Sequence, residues 1–325
     1  MTRAAVVAAV GSVLPAFVVS NEDLTARLDT TDEWIRSRTG ITRRHVAGQE
    51  QSTADLAVRA ATQALAACDS ATVDALVLAT TTPDRCCPAT APTVATRLGL
   101  TSIPAFDLAA GCTGFLYAMA TGAGLIAADT TRTVLVIGAD RLASLPHPED
   151  RTTVPLFGDG AGAMLLRSGN VGEPGALGPV VLGSDGAGAD LIRAEHPGAL
   201  HMDGADVFRH AVHHMSGASR QAVAAAGWDL ADVDRLVPHQ ANHRITSFVA
   251  RQLAIPDGCL LSNVADVGNT GAASIPLLLA QAATEGWLKP GHRTLLTAFG
   301  AGLTWGALTL TWPDLSRTRL PEEAP

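Results

Sequence analysis

The chain has too few cysteines, in too uneven a pattern, to be held by disulfides: there are five, an odd number, and only Cys86 and Cys87 are adjacent. No disulfide framework is expected, and a reducing cytoplasm suits this cysteine usage. Positive charge is also in deficit, the formal net charge being -8. That balance excludes a general nucleic-acid binder, whose affinity would rest on a cationic surface. Long apolar runs are missing too. The longest later one, Phe115 to Ala128, carries Thr121 and two glycines and is too short for a comfortable membrane span. It reads as a buried helix, and no membrane partner is expected. The apolar start, Ala4 to Ser20, is broken by Gly11-Ser-Val-Leu-Pro15 and lacks a small-residue cleavage site before Asn21. It reads as strand, turn, strand and not as a signal peptide.

Two familiar motifs are present only in part. Gly158-Asp-Gly-Ala-Gly-Ala163 has neither dinucleotide-fingerprint spacing nor the Lys-Ser/Thr that follows a phosphate loop, so it reads as a tight backbone crossing beside a site. His239 and His243 have zinc-protease spacing, but Gln240 stands where that chemistry requires a carboxylate base. His210, His213 and His214 share a helix without an accompanying Cys or carboxylate ligand set, which fits a surface or interface role. No metal site is expected.

What is present is apolar substance and a repeat. With 325 residues and 47% hydrophobic content, the chain can bury a large core, as two ordinary domains or one large α/β unit. β-Branched runs alternate with Ala-rich helical patterns at Thr53 to Ala67, Ala211 to Ala226 and Ile275 to Gly286, the mark of an α/β architecture with covered sheets. Val73-Asp-Ala-Leu-Val77 is echoed by Val233-Asp-Arg-Leu-Val237, and Arg132-Thr-Val-Leu-Val-Ile-Gly138 by Arg293-Thr-Leu-Leu-Thr-Ala-Phe299, at offsets of 160 and 161 residues. Nearly equal offsets point to an internal duplication. Ser168 to Leu200, rich in Gly, Pro and Ala, is expected to be irregular or a linker. A boundary near Gly169 divides the chain into residues 1–168 and 169–325. This alignment sets Cys112 close to Asn269, and the strand before His239 opposite the strand ending near Thr81.

Three positions could carry chemistry. Cys112 lies in Asp107-Leu-Ala-Ala-Gly-Cys112-Thr-Gly-Phe, between an expected strand at Ile103 to Leu108 and the Phe115 helix. A helix N-terminus favours thiolate and offers N–H donors to an oxyanion, though a packed, inert cysteine fits the site equally well. His239 follows a strand, and Asn269 follows Gly268 in a second loop-to-helix transition. An imidazole and an amide beside a thiol would supply an acid-base group and an oxyanion donor for a thioester, while a structural histidine and a turn-forming asparagine remain the alternatives. Arg36, Arg38, Arg43, Arg44, Arg209, Arg244 and Arg251 are candidates to receive an acidic partner, or are solvated surface charges.

Taken together and in order, Asp32-Glu-Trp34-Ile-Arg-Ser-Arg38-Thr-Gly-Ile, Ala110-Gly-Cys112-Thr-Gly-Phe, Phe157-Gly-Asp-Gly-Ala-Gly-Ala, Pro238-His239-Gln-Ala-Asn242, Gly268-Asn269-Thr and Phe299-Gly-Ala-Gly-Leu-Thr-Trp resemble the β-ketoacyl-acyl-carrier-protein synthase III family nearly end to end. The resemblance implies a thiolase-like fold with duplicated halves in a five-layer αβαβα arrangement, and a homodimer. It implies that Cys112 takes a primer acyl group from acyl-CoA, a substrate and not a permanently bound cofactor. It further implies that His239 and Asn269 stabilise the enolate formed when malonyl-acyl-carrier protein loses carbon dioxide. The backbone N–H groups of Cys112 and Ala301 become the oxyanion donors at the acyl carbonyl.

The same resemblance assigns CoA and pantetheine contacts to Thr30, Trp34, Arg38, Arg151, Gly204, Phe208, Asn242 and Arg244. It assigns acyl-pocket positions to Cys87 and Phe157, and carrier-protein docking to Arg209, Arg244 and Arg251. Cys87 departs from the bulky Phe common before Pro88, Gly271 from the more familiar Ser, and Thr113 from Ala, while Ser184 to His201 is short against the family pattern. Primer and pathway, fatty acid or polyketide, are therefore left open. Two other functions are compatible with the residues: acyl transfer from Cys112 to a hydroxyl or amine of a natural product, and a non-catalytic subunit that binds carrier protein.

Overall fold

A computed structural model describes residues 3–68, 72–194 and 199–315. The first half of the chain forms β1 (Arg3–Val13), β2 (Val18–Ser20), α1 (Asn21–Thr25), α2 (Asp32–Thr39), β3 (Arg43–His45), α3 (Thr53–Ala66), β4 (Ala75–Ala79), α4 (Ala91–Arg97), β5 (Ala105–Leu108), α5 (Gly114–Ala127), β6 (Thr133–Arg141) and β7 (Asp159–Asn170). The second forms β8 (Leu177–Ser184), β9 (Ile192–Ala194), β10 (Leu200–Met202), α6 (Gly204–Ala225), β11 (Arg235–Pro238), α7 (His243–Gln252), α8 (Val264–Val267), α9 (Ser274–Thr284), β12 (Arg293–Gly300) and β13 (Thr304–Thr311).

Two mixed sheets carry the fold. One has the strand order β1-β7-β6-β4-β5 and the other β11-β12-β13-β8, with β4, β5 and β6 mutually parallel and β11 parallel to β12. Their order and direction match strand for strand except at β5. There, among the described residues, the second sheet has only the parallel bridge Leu236–Leu260.

Burial patterns explain the layers. Helix α3 begins at a capping box of Ser52 and Asp55 and buries Ala54, Ala57, Ala60, Ala61 and Ala64 on one stripe against the first sheet. Helices α5 and α9 are apolar around most of their circumference because they lie between the sheets. Phe115, Leu116 and Met119 of α5 join Ile275, Leu278 and Leu279 of α9 in one core with strands of both sheets. Burying each such side chain is worth about 1.5–3 kcal/mol. Helices α6 and α7 cover the far face of the second sheet with Ala211, Met215, Ala222, Val249 and Ala250. The order helix, sheet, helix, sheet, helix is the expected five-layer arrangement.

Several local expectations need correction. The Ser168 to Leu200 segment is no linker: β7 runs through Asn170, and β8 supplies the edge strand of the second sheet, pairing with β13. Its residues 195–198 lie outside the described residues. Glycine there serves packing, since a Cβ at Gly183 would come within 2.5 Å of the Trp305 ring. The strand, turn, strand reading of Ala4 to Ser20 holds as β1 and β2, but the turn comes after Val13 and not at Gly11, whose missing side chain lets α3 approach, a Cβ there lying 2.4 Å from the Ala60 carbonyl. The Gly158 to Ala163 run lies largely within β7 and is the tight backbone crossing expected, a Cβ at Gly158 closing to 2.3 Å from the Val267 carbonyl. Its Gly162 admits α9, where a Cβ would meet Pro276 at 2.6 Å. Helix α6 begins at Gly204, earlier than the Ala211 expected.

Candidate active site

The duplication is most exact at the two turns that open the central helices. Gly111–Thr113 and Gly271–Ala273 are both 3-10 turns, each beginning with a glycine in the left-handed region at φ 55° and 59°. Helices α5 and α9 start directly after them. Cys112 therefore corresponds to Ala272, and Asn269 lies three residues ahead of the equivalent point. The sequence alignment of Cys112 with Asn269 is corrected accordingly.

The turn bearing Cys112 packs against the turn following Asn269 and against the end of β12. A Cβ at Gly300 would sit 2.5 Å from the Cys112 nitrogen, and one at Gly111 would sit 2.8 Å from the Ala301 nitrogen. Both loop crossings thus require glycine. Neither the Cys112 nor the Ala301 N–H donates to a carbonyl or to another residue's side chain among the described residues.

Desolvation, reinforced by the neighbouring Asp140 carboxylate, pushes the half-buried Cys112 thiol up to about 12. The neutral thiol is the resting form. Burial outweighs any pull of the α5 N-terminus toward thiolate, so the packed-cysteine alternative describes the resting thiol.

His239 follows β11, its N–H donating to the Thr297 carbonyl of β12 at 2.8 Å. It is 2% exposed, and burial lowers its pKa to about 3, so the ring is neutral. Its Nδ1 lies 2.6 Å from Oγ of Ser274, the first residue of α9. Gln240, where the zinc motif lacked a carboxylate, anchors this loop. Its Oε1 accepts from Ser262 Oγ, Asn263 N and Val264 N, and its Nε2 donates to the Pro238 carbonyl.

Asn269 is held by its main chain between Leu156 and Gly158, its N–H donating at 2.8 Å and its carbonyl accepting at 3.0 Å. Its Oδ1 accepts the Gly271 N–H at 3.0 Å, so the amide is oriented with its NH2 group as the remaining polar end. Within the described residues that NH2 has no protein acceptor. Asp140 supports the same region from the first half. It is fully buried, accepts from Thr81 N at 2.7 Å and from Ala272 N at 2.8 Å, and burial raises its pKa. Ser274, Gln240 and Asp140 had no local signal in the sequence, because each acts across chain separations of tens of residues or more.

The other expected contacts divide by location. Arg151 Nη1 donates to the Asp29 carbonyl at 2.9 Å, beside Thr30, whose Oγ1 is buried without a hydrogen-bond partner. Trp34 is half-buried and Arg38 exposed on α2, whose end meets α7: a Cβ at Gly40 would lie 2.5 Å from that of His243. Asn242 caps α7 by accepting from Ile245 N. Gly204 opens α6 and is exposed. Phe208 packs edge-on to Phe248 at 5.2 Å, with Arg244 over Phe208 and Arg251 over Phe248 at 5.6 and 4.1 Å. Arg209 is exposed and paired with Asp206.

Cys87 is exposed on a loop pinned by Thr90 N and Ala91 N to the Asp107 carboxylate. Phe157 is buried and its main chain bridges to Asn269. It also lines a separate cavity of about 390 Å3 with Phe17, Val46, Ala143 and Val154. Arg44 is corrected as a candidate for an acidic partner: it is 1% exposed and donates to the Val19 and Pro155 carbonyls and to Asn21. Arg36 and Arg43 are paired with Asp32 and Asp266. His214 is not a free surface residue but stacks on Trp305 at 3.9 Å.

Two family descriptions match this chain: 3-oxoacyl-[acyl-carrier-protein] synthase III over residues 106–186 and its C-terminal counterpart over residues 223–312. The chain is 53% identical to beta-ketoacyl-[acyl-carrier-protein] synthase III 3 of Streptomyces coelicolor, covering 96% of this chain and 98% of that one. It superposes on the crystal structure of 3-oxoacyl-(acyl carrier protein) synthase III from Pseudomonas aeruginosa with a TM-score of 0.93 at 50% identity, covering 96% and 99% of the two chains. A priming β-ketosynthase of the R1128 polyketide pathway matches with a TM-score of 0.91 at 35% identity, over 96% of this chain and 97% of that one.

Proposed function

The chain belongs to the 3-oxoacyl-[acyl-carrier-protein] synthase III family, and from that premise we propose that Cys112, His239 and Asn269 divide its reaction into two half-reactions. The enzyme is an acyltransferase that condenses an acyl-CoA with malonyl-acyl-carrier protein and so initiates fatty-acid synthesis. Acyl-CoA is a substrate, and the family works without a bound cofactor.

In the loading half, the Cys112 sulfur attacks the thioester carbonyl of acyl-CoA. The carbonyl electrons move onto oxygen, where the Cys112 and Ala301 N–H groups stabilise them, and collapse expels CoA with the thiol proton. With the resting thiol pushed up to about 12, the attacking thiolate is a minor form, and the thiol proton ends on the departing CoA.

In the condensing half, the malonyl thioester carbonyl lies between the His239 ring N–H and the Asn269 NH2. The bond to the carboxylate breaks, carbon dioxide leaves, and the electron pair enters an enolate held by two neutral donors. The enolate carbon then attacks acyl-Cys112, the acyl C–S bond breaks, and the Cys112 thiolate takes a proton from solvent as the 3-oxoacyl carrier protein leaves. A neutral His239 suits this step because it stabilises the oxyanion by donating, without a buried cation.

The single observation that carries this reading is the meeting of the Cys112 turn with the turn after Asn269 at the end of β12, the strand to which His239 is also hydrogen-bonded. Thr30, Trp34, Arg38 and Arg151 are proposed to hold the CoA nucleotide, and Gly204, Phe208, Asn242 and Arg244 the pantetheine. Cys87 and Phe157 are proposed to border the acyl pocket. The cations Arg209, Arg244 and Arg251, interleaved with Phe208 and Phe248, suit an acidic carrier protein. Residues 1–168 supply the nucleophile and 169–325 the His–Asn pair. A homodimer is proposed because β5 is an edge strand whose four residues are all half-exposed. The test is intact-protein mass spectrometry after exposure to short acyl-CoA. One acyl mass is expected on the wild type and none on Cys112→Ser, and undiminished labelling of the variant would defeat the assignment.

A further inference from the structure

The first turn of each central helix touches the end of a parallel strand in its own half. In the first half the contact is bare: a Cβ at Gly114 would lie 3.1 Å from that of Ala79. At the duplicated positions of the second half stand Ser274 and His239, whose Oγ and Nδ1 are 2.6 Å apart. A packing contact in one half has become a polar pair in the other.

Ser274 is 1% exposed, and its hydroxyl does not cap the helix it begins. A buried hydroxyl requires partners. The Gln240 N–H reaches Ser274 Oγ at 3.3 Å, and a backbone amide can only donate, so this bond occupies a lone pair of the oxygen. Beyond it, the described hydroxyl has one neighbour to which its own proton can go, the Nδ1 of His239.

We infer that Ser274 is a positioning residue that donates to His239 Nδ1 and thereby fixes the tautomer in which Nε2 carries the proton, keeping an N–H donor available to the malonyl thioester oxygen. The consequence for catalysis rests on the assignment of His239 to the condensing half-reaction, whereas the tautomer itself is independent of that assignment. The opposite tautomer would present a lone pair to a developing oxyanion and oppose the step.

The experiment combines 15N NMR of the histidine ring in the wild type, near neutral pH, with half-reaction kinetics of Ser274→Ala and Ser274→Thr. Expected are a protonated Nε2 and an unprotonated, hydrogen-bonded Nδ1 for His239 in the wild type. Ser274→Ala should show mixed tautomers and lower kcat for carbon dioxide release by about tenfold, with KM for malonyl-acyl-carrier protein and acyl loading of Cys112 little changed. Ser274→Thr, which keeps the hydroxyl, should recover most of the rate. A wild-type ring protonated at Nδ1 would overturn the inference even if neither variant folds, as would an unchanged tautomer and decarboxylation rate in Ser274→Ala. If instead the wild-type tautomer is as expected but His239→Ala still decarboxylates normally, the functional assignment fails and the Ser274 bond stands.

Discussion

Asp140 and Gly300 occupy duplicated positions at the ends of β6 and β12, and they treat the matching N–H groups in opposite ways. Asp140 accepts the Ala272 N–H at 2.8 Å, whereas Gly300 brings no side chain to the Cys112 N–H, against which a Cβ would close to 2.5 Å. One half seals its turn with a carboxylate and the other leaves a donor open.

That difference makes Gly300 a sensitive position. Gly300→Ala should displace the Cys112 backbone and lower the rate of acyl loading by about a hundredfold or more, the scale of losing one oxyanion donor. Timed mass spectrometry of acyl-Cys112 measures it, and a variant that loads at the wild-type rate would speak against the proposed donor.

The elevated thiol pKa has a direct kinetic signature. Cys112 alkylation by iodoacetamide in the absence of substrate should rise about tenfold per pH unit from pH 6 to beyond pH 9, because the thiolate fraction keeps growing until about 12. A rate that levels off near pH 7 would indicate a stabilised thiolate and contradict the burial argument.

His239 also links folding to pH. Its folded pKa of about 3 lies below its ordinary value of 6.5, so between these limits the unfolded chain binds the extra proton. This contribution to stability is present above pH 6.5 and is lost as pH falls toward 3, by up to several kcal/mol. Denaturant titrations of wild type and His239→Ala across pH 4 to 7 should differ in slope, the variant losing less stability on acidification. Parallel curves would mean that the ring is not buried neutral.

Charge reversal at the Phe208–Phe248 surface separates carrier recognition from chemistry. Arg251→Glu combined with Arg209→Glu should reduce kcat/KM for malonyl-acyl-carrier protein by about tenfold at low salt, with a smaller loss at high salt, and leave acyl loading from CoA unchanged. Equal losses in both half-reactions would place the carrier elsewhere.

Much of this architecture is legible locally. The Ala stripe of α3, the apolar strands β4, β6, β11 and β12, and the repeat between them follow from periodicity within short windows. Strand β8 is not legible, because its glycines suit a backbone packed beneath Trp305 and resemble a linker when read alone. At the site, Cys112 and Asn269 stand out by their turns and His239 by its place after a strand. Their properties do not: the thiol is raised by burial under loops drawn from both halves and further by Asp140, and the imidazole is oriented by Ser274. Arg44 shows the same limit from the other side, a charge that reads as surface yet is buried by carbonyls from Val19 and Pro155.

The division of labour between the halves is tested most directly in a single variant. His239→Ala, given acyl-CoA and then malonyl-acyl-carrier protein, should form acyl-Cys112 to the wild-type extent while carbon dioxide release falls by at least about a hundredfold. Carbon dioxide released at the wild-type rate, or acyl-Cys112 that fails to form in a folded variant, would contradict the account.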